Sequence, residues 1–172
     1  MSICYLVGDA TYPIGVGKKI IMHICNDIGG WGSGFVLAVS KRWKEPEEMY
    51  RSLARQCPLG ITLGVTMFVS VQEDIVVANM IGQHGMQWGD GGAPIRYDAL
   101  RTTLGCVRRF AIARNATVHA PRIGAGLAGG DWKIIEQIIN EELCDHGVEV
   151  TVYDLLEPED LSAEINRRIR NE

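Results

Sequence analysis

The chain has 172 residues, 47% of them hydrophobic and 22% charged, with a formal net charge of −4. That suits one globular domain with a full core, gives no electrostatic reason to expect a nucleic-acid partner, and leaves no apolar run near the roughly 20 residues of a membrane-spanning helix. The five cysteines form no C-x-x-C pair, which argues against a disulfide framework or structural zinc, so a reduced, cytoplasmic protein without metal or cofactor is expected.

The N-terminal Met1–Asp9 lacks the basic start and apolar stretch of a signal peptide. Residues 3–7 read as a short strand that stops at Gly8-Asp9. Residues 19–25 are short and β-branched, a buried strand ended by Asn26-Asp27. Ser33 to Trp43 has helical spacing, with Phe35, Val36, Val39 and Trp43 on one face. Pro46 opens a second short helix through Gln56, with Glu47 and Glu48 in its first turn. Residues 61–71 and 74–81 are apolar, β-branched runs, a hairpin turning at Glu73-Asp74.

Gly82 to Pro94 is a glycine-rich loop. Ile95 to Asn115 is a long helix with Leu100, Leu104, Val107 and Ile112 as buried candidates. A strand over 117–122, a second glycine-rich loop, a helix over 131–146 and a strand over 148–153 follow. Glu157 to Glu172 reads as a last helix, with Pro158 near its start. Strands alternating with helices, plus one hairpin, predict an α/β domain over residues 1–156 with a mixed central sheet covered on both faces. Residues 157–172 are expected to be a helical tail beyond it.

Two stretches carry the chemistry. Pro121-Arg-Ile-Gly-Ala-Gly-Leu-Ala-Gly-Gly-Asp-Trp132 lies between a strand and a helix. Asn26-Asp-Ile-Gly-Gly-Trp-Gly-Ser-Gly34 repeats the arrangement. Glycine removes Cβ and lets backbone N–H groups approach a ligand, and a following helix offers unpaired N–H groups and a positive dipole end. Such loops favour an anion such as a diphosphate. The stretch at 121–132 is neither a Walker A loop nor a dinucleotide fingerprint. The same composition also suits a tight strand-to-helix turn, and both readings stand on the residues alone. If the two strands are central and parallel, both loops open on one edge and one ligand can touch both.

Gly8-Asp9, Asn26 to Gly34, Pro121-Arg-Ile-Gly-Ala-Gly-Leu127 and Val150-Thr-Val-Tyr153 resemble a macro domain. The branch they resemble contains terminal ADP-ribose glycohydrolases and ADP-ribose 1″-phosphate phosphatases. The resemblance implies a three-layer α/β/α sandwich and an ADP-ribose cleft. It places Asp9, with Ala10 beside it, at the adenine amino group, and Tyr153 near the adenine. It places Gly30, Trp31, Gly32, Ser33 and Gly34 around the distal ribose and diphosphate. Gly124, Ala125, Gly126 and Leu127 match the phosphate-holding loop. Asp9 also suits a turn, Trp31 a core position, and Tyr153 packing under the tail.

The glycohydrolases of that branch carry a lysine nucleophile after the hairpin and an aspartate after the glycine loop. Here the first region reads Asn79-Met-Ile-Gly-Gln-His84, and Ala128 stands at the second position. The groups left for catalysis are Asn26 to fix a hydroxyl or a water, Asp27 as a base, and His84, of the residue type that exchanges a proton near neutral pH. Asp131 is expected as a helix N-cap. His23 and His119 sit inside strands as buried histidines, and His146 at a helix C-terminus. The expected function is a hydrolase acting on ADP-ribose 1″-phosphate or on a terminal ADP-ribosyl group, with a non-catalytic ADP-ribose reader or a protein–protein module as alternatives.

Overall fold

The computed structural model describes residues 1–89 and 92–156, together with Ile169. The expected tail helix over 157–172 lies outside those residues apart from that one position. The most apolar runs take the middle of the sheet. Lys19–Asn26 (β2) and Ile75–Gln83 (β4) are buried at almost every position, because helices cover both of their faces. Around them lie Cys4–Val7 (β1), Thr66–Gln72 (β3), Thr117–Ala120 (β5) and Val150–Asp154 (β6). The six-stranded sheet runs β1-β6-β5-β2-β4-β3. Every pairing is parallel except that of β3 with β4, the hairpin. Six strands in this mixed order between two helical layers make the expected three-layer α/β/α sandwich.

Alternation along the strands divides the core in two. Ile20, Met22, Ala78, Met80, Val118, Val150 and Val152 pack with Leu100, Leu104 and Val107 of Tyr97–Arg114 (α3) and with Ile135, Ile138 and Ile139 of Trp132–Glu142 (α4). On the opposite face Ile21, Cys25, Val77 and Ile81 pack with Val36 and Val39 of Phe35–Arg42 (α1) and Tyr50 of Glu45–Gln56 (α2). Truncating a fully buried leucine such as Leu104 in a core of this kind costs about 2–5 kcal/mol.

Several boundaries differ from the sequence reading. The first helix begins at Phe35, not Ser33. Residues 61–65 are not strand: they cross the strand ends, where the Ile61 N–H bonds the Asp27 carbonyl and the Gly64 N–H bonds that of Ile81. β5 stops at Ala120 because Pro121 has no N–H to continue a ladder. α4 ends at Glu142, and Cys144–His146 forms a separate 3-10 turn. Ile112 is 57% exposed. The stripe at Leu100, Leu104, Val107 and Ala111 leaves it about 100° around the helix from the core.

Candidate functional site

β2 and β5 pair only from Lys19 with Thr117 to Ile21 with His119. Beyond that they part, and their carboxyl ends open a cavity of about 360 Å³. From β2 the chain leaves over one face of the sheet and from β5 over the other, which makes this a topological switch point. Both glycine loops line the cavity, through Gly30, Gly32, Ser33 and Gly34 on one side and Gly124, Gly126, Leu127 and Ala128 on the other. They meet where a Cβ on Gly34 would touch Leu127 Cδ1 at 3.4 Å.

The first loop is shaped by Asn26 and Tyr50. Asn26 Oδ1 accepts from the Ile28 and Gly30 N–H groups at 3.1 and 3.0 Å, and its Nδ2 donates to the Gly30 carbonyl at 2.7 Å. The Tyr50 hydroxyl accepts from the Gly29 N–H and shares its proton between the backbone and side-chain oxygens of Asn26. This folding leaves the N–H groups of Gly32, Ser33, Gly34, Phe35 and Val36 with no partner among the described residues. The last two open α1, whose first turn carries no acidic residue and whose last turn carries Lys41 and Arg42. The positive end of α1 therefore faces the cavity without local neutralisation.

In the second loop, Gly124 has φ +71° and sits where a Cβ would come within 2.8 Å of Ile95 Cδ1. Only glycine fits both constraints. The turn closes on itself through Gly130 N–H to Gly124 carbonyl at 2.7 Å and Gly129 N–H to Gly126 carbonyl at 3.0 Å. The N–H groups of Gly124, Gly126, Leu127 and Ala128 stay unpaired among the described residues. Two sets of free donors thus line one cavity, which favours a ligand with more than one anionic centre.

Of the two helix ends expected beside the glycine loops, that of α1 lines the cavity and that of α4 does not. α4 is capped by its own Asp131, whose carboxylate accepts from the Lys133 N–H at 2.9 Å. Neither Asp131 nor Trp132 lines the cavity; α1 supplies the helix end instead.

The remaining candidates are placed unevenly. Asn26 lines the cavity, with one amide hydrogen beyond those already bonded. Asp27 and His84 are brought together: Oδ2 is 2.7 Å from Nδ1, and Oδ1 accepts from the Gly85 N–H at 2.9 Å. Neither member lines the cavity, but their chain neighbours Asn26, Gln83 and Met86 do, which puts the exposed His84 at its edge. The Trp31 side chain is buried, packs on Tyr50 and donates to Ser40 Oγ at 2.7 Å, so only its backbone is left for a ligand. Ala125 packs into the core beside α3 and α4.

Asp9, Ala10 and Tyr153 sit at the neighbouring strand ends and do not line this cavity. Asp9 Oδ1 holds a turn by accepting from Thr11 N and Oγ1, both at 2.8 Å, and its Oδ2 has no partner among the described residues. Ala10 is buried. The Tyr153 hydroxyl accepts from the Ile14 N–H at 3.0 Å and shares a hydrogen bond with His119 Nδ1 at 2.9 Å, so Tyr153 fixes the segment after Asp9.

Sequence reasoning assigned no site role to His23, Phe35, Met86 or Arg122, yet all four line the cavity. Met86 lies so close over Gly30 that a Cβ there would collide with its sulfur. Arg122 is exposed, and a two-pronged ion pair with Asp154, at 2.6 and 2.9 Å, fixes its guanidinium. Arg122 was visible within the Pro-Arg-Ile run; the others carried no local signal. Among the described residues no cluster of His, Cys, Asp and Glu is arranged to hold a metal, and no helix is long and apolar enough to cross a membrane.

Known proteins share this architecture. A Bacteroides thetaiotaomicron protein of unknown function is 57% identical, with a TM-score of 0.86 over 91% of this chain and 99% of its own. A macrodomain protein from Streptomyces coelicolor is 50% identical, with a TM-score of 0.79 over 89% of this chain and 99% of its own. The ADP-ribose 1″-phosphate phosphatase of Candida albicans is 25% identical over 147 residues, 81% of this chain and 92% of that protein. The chromodomain-helicase-DNA-binding protein 1-like of Mus musculus is 28% identical over 88% of this chain, but the chain spans only 18% of that protein's length. No family model matches the chain.

Proposed function

We propose that this chain, which belongs to the macrodomain family, binds ADP-ribose between its two glycine loops and hydrolyses an ADP-ribose derivative there. The observation that carries the reading is the pair of unpaired N–H sets, Gly32 to Val36 and Gly124 to Ala128, lining one cavity at the switch point. A diphosphate offers each set its own phosphate. Asp9 would then receive the adenine amino group on its unpartnered Oδ2, and the distal ribose would lie beyond the diphosphate, under Met86 and Gly30.

For hydrolysis the chain has no lysine between Gly82 and Pro94, so a water must attack directly. A carboxylate only accepts, so a neutral His84 beside Asp27 carries its proton on Nδ1 and a lone pair on Nε2 of its exposed side chain. That nitrogen takes a proton from water as the water oxygen bonds to the phosphorus of a 1″-phosphate or to C1″ of the distal ribose. The P–O or C1″–O bond to the leaving group breaks, and the imidazolium passes its proton to the departing oxygen. The glycine-loop donors hold the diphosphate in place and stabilise negative charge. The Candida albicans relative, named for ADP-ribose 1″-phosphate, supports a phosphorylated distal ribose as one substrate.

A second reading, a non-catalytic ADP-ribose reader, is favoured by one observation. Both oxygens of Asp27 and most of the Asn26 amide are already used to hold the loops. Calorimetry with ADP-ribose and ADP tests the binding reading, which fails if the two bind equally or not at all. Parallel assays on ADP-ribose 1″-phosphate, O-acetyl-ADP-ribose and ADP-ribosylated glutamate test hydrolysis. Binding without turnover on all three leaves the reader.

A further inference from the structure

His23 lies in the middle of β2, is 1% exposed, and lines the cavity. Its Nε2 is 2.6 Å from Asn79 Oδ1, and Asn79 Nδ2 donates to the Pro46 carbonyl at 2.9 Å. A carbonyl has no proton to give, so the Asn79 nitrogen must face Pro46 and its oxygen must face His23. That oxygen only accepts, so the imidazole proton is on Nε2. Burial holds the imidazole pKa down to about 4, which keeps the ring neutral. Nδ1 is therefore a bare acceptor, and it has no hydrogen-bond partner. A buried acceptor without a donor is costly, and it is normally matched by a ligand or a water.

Two rings flank the imidazole. Trp31 stands edge-on at 5.4 Å between centroids and is fixed by its bond to Ser40. Phe35, at 5.8 Å, has no polar group to tie it, is half-buried, and itself lines the cavity. Nδ1 itself is enclosed, so a ligand reaches it by turning aside a neighbouring ring, and Phe35 is the one without a polar tie. In ADP-ribose the ionised diphosphate has no donor, and the adenine end lies toward Asp9. The donors left for this floor are the hydroxyls of the distal ribose.

We infer that His23 Nδ1 accepts a hydrogen bond from a distal-ribose hydroxyl, which makes His23 a binding residue that distinguishes ADP-ribose from ADP; this rests on the ADP-ribose reading above. The test uses two near-isosteric variants. His23→Gln keeps a donor toward Asn79 Oδ1 and removes the acceptor at Nδ1. His23→Asn places an amide oxygen near Nδ1 and gives up the Asn79 bond. His23→Gln should weaken ADP-ribose about tenfold while leaving ADP affinity and melting temperature near wild type. His23→Asn should retain more of the ADP-ribose affinity. In the wild type, the nitrogen NMR signal of Nδ1 should move on adding ADP-ribose and stay in place with ADP. Wild-type ADP-ribose affinity in His23→Gln, an unmoved Nδ1 signal, or equal loss of both ligands overturns the inference and leaves the binding reading intact. A wild type that binds neither ligand overturns the binding reading and this inference with it.

Discussion

Asp27 and His84 are 57 residues apart in sequence, and their side chains meet at 2.7 Å. The two are unequal partners, with side-chain exposures of 10% for Asp27 and 62% for His84. Asp27 also holds the Gly85 N–H, so it ties the loop after β4 to the loop after β2. The exposed histidine is the half of the pair that is free to act. His84→Ala should lower turnover by about 10²–10⁴-fold, the usual contribution of general acid–base catalysis, and leave ADP-ribose affinity unchanged. Asp27→Ala should lower stability as well, because it frees both the Gly85 N–H and the imidazole. Steady-state kinetics beside calorimetry on the two variants decide it. An unaltered rate in His84→Ala returns the histidine to a loop tie.

The second glycine loop separates fold from function one residue at a time. Gly124 needs its left-handed φ of +71° and has Ile95, Ile135 and Ile24 within 3.1 Å of a Cβ. Gly126 has neither constraint: its Cβ position meets nothing within 4 Å. Gly124→Ala should therefore destabilise the domain by about 1–3 kcal/mol through strain and overpacking. Gly126→Val should leave the melting temperature near wild type and abolish ADP-ribose binding, because its side chain points into open space where the phosphate is to lie. A folded Gly126→Val protein that still binds would remove this loop from the phosphate site.

Much of this was legible in the residues. The β-branched run at 19–25 carried its own signal as a buried strand and that at 74–81 as one arm of a hairpin, and the two glycine loops stood out against ordered flanks. What periodicity cannot give is which helix end faces the ligand. That depends on sheet order: α1 follows the strand at the switch point, whereas α4 spends its N-terminus on Asp131. Trp31 shows the same limit. It lies within the glycine loop, where the residues left both a ligand-facing and a core position open, and the fold turns it inward onto Tyr50 and Ser40. The Asp27–His84 contact and the Met86–Gly30 approach join segments far apart in the chain, and spacing within either segment does not encode them.

On the proposed reading Asp9 has two tasks on different oxygens. Oδ1 holds the turn to Thr11, and Oδ2, which has no partner among the described residues, would receive the adenine amino group. Asp9→Asn keeps an oxygen for the turn and presents an amide donor in place of the second oxygen. It should preserve the melting temperature and weaken ADP-ribose by about 1–3 kcal/mol, the scale of a lost hydrogen bond to a charged group. Asp9→Ala should do both kinds of damage. Calorimetry showing wild-type affinity in the asparagine variant would reduce Asp9 to a turn residue.

The two buried histidines predict how the domain responds to acid. His23 and His119 both have pKa values held down to about 4 from an ordinary 6.5, chiefly by burial, with the positive charge of Lys19 adding to the effect at His119. In the unfolded chain both rings take up a proton as pH falls below 6.5. In the folded chain they stay neutral until about pH 4. Between those values the unfolded state binds more protons, so stability is complete above the upper one and is lost as pH falls toward the lower. Each histidine contributes up to roughly 1.4 kcal/mol per pH unit inside that window. Asp154, held below its ordinary 3.8 by Arg122, acts only in stronger acid. Urea midpoints at about pH 7.5 and about pH 5 should therefore differ clearly in the wild type. The difference should be about half as large in His23→Gln, which keeps the Asn79 bond but has nothing to titrate. An equal pH dependence in the two proteins would mean that His23 is protonated in the folded state well above pH 4, and its bare Nδ1 acceptor would go with it.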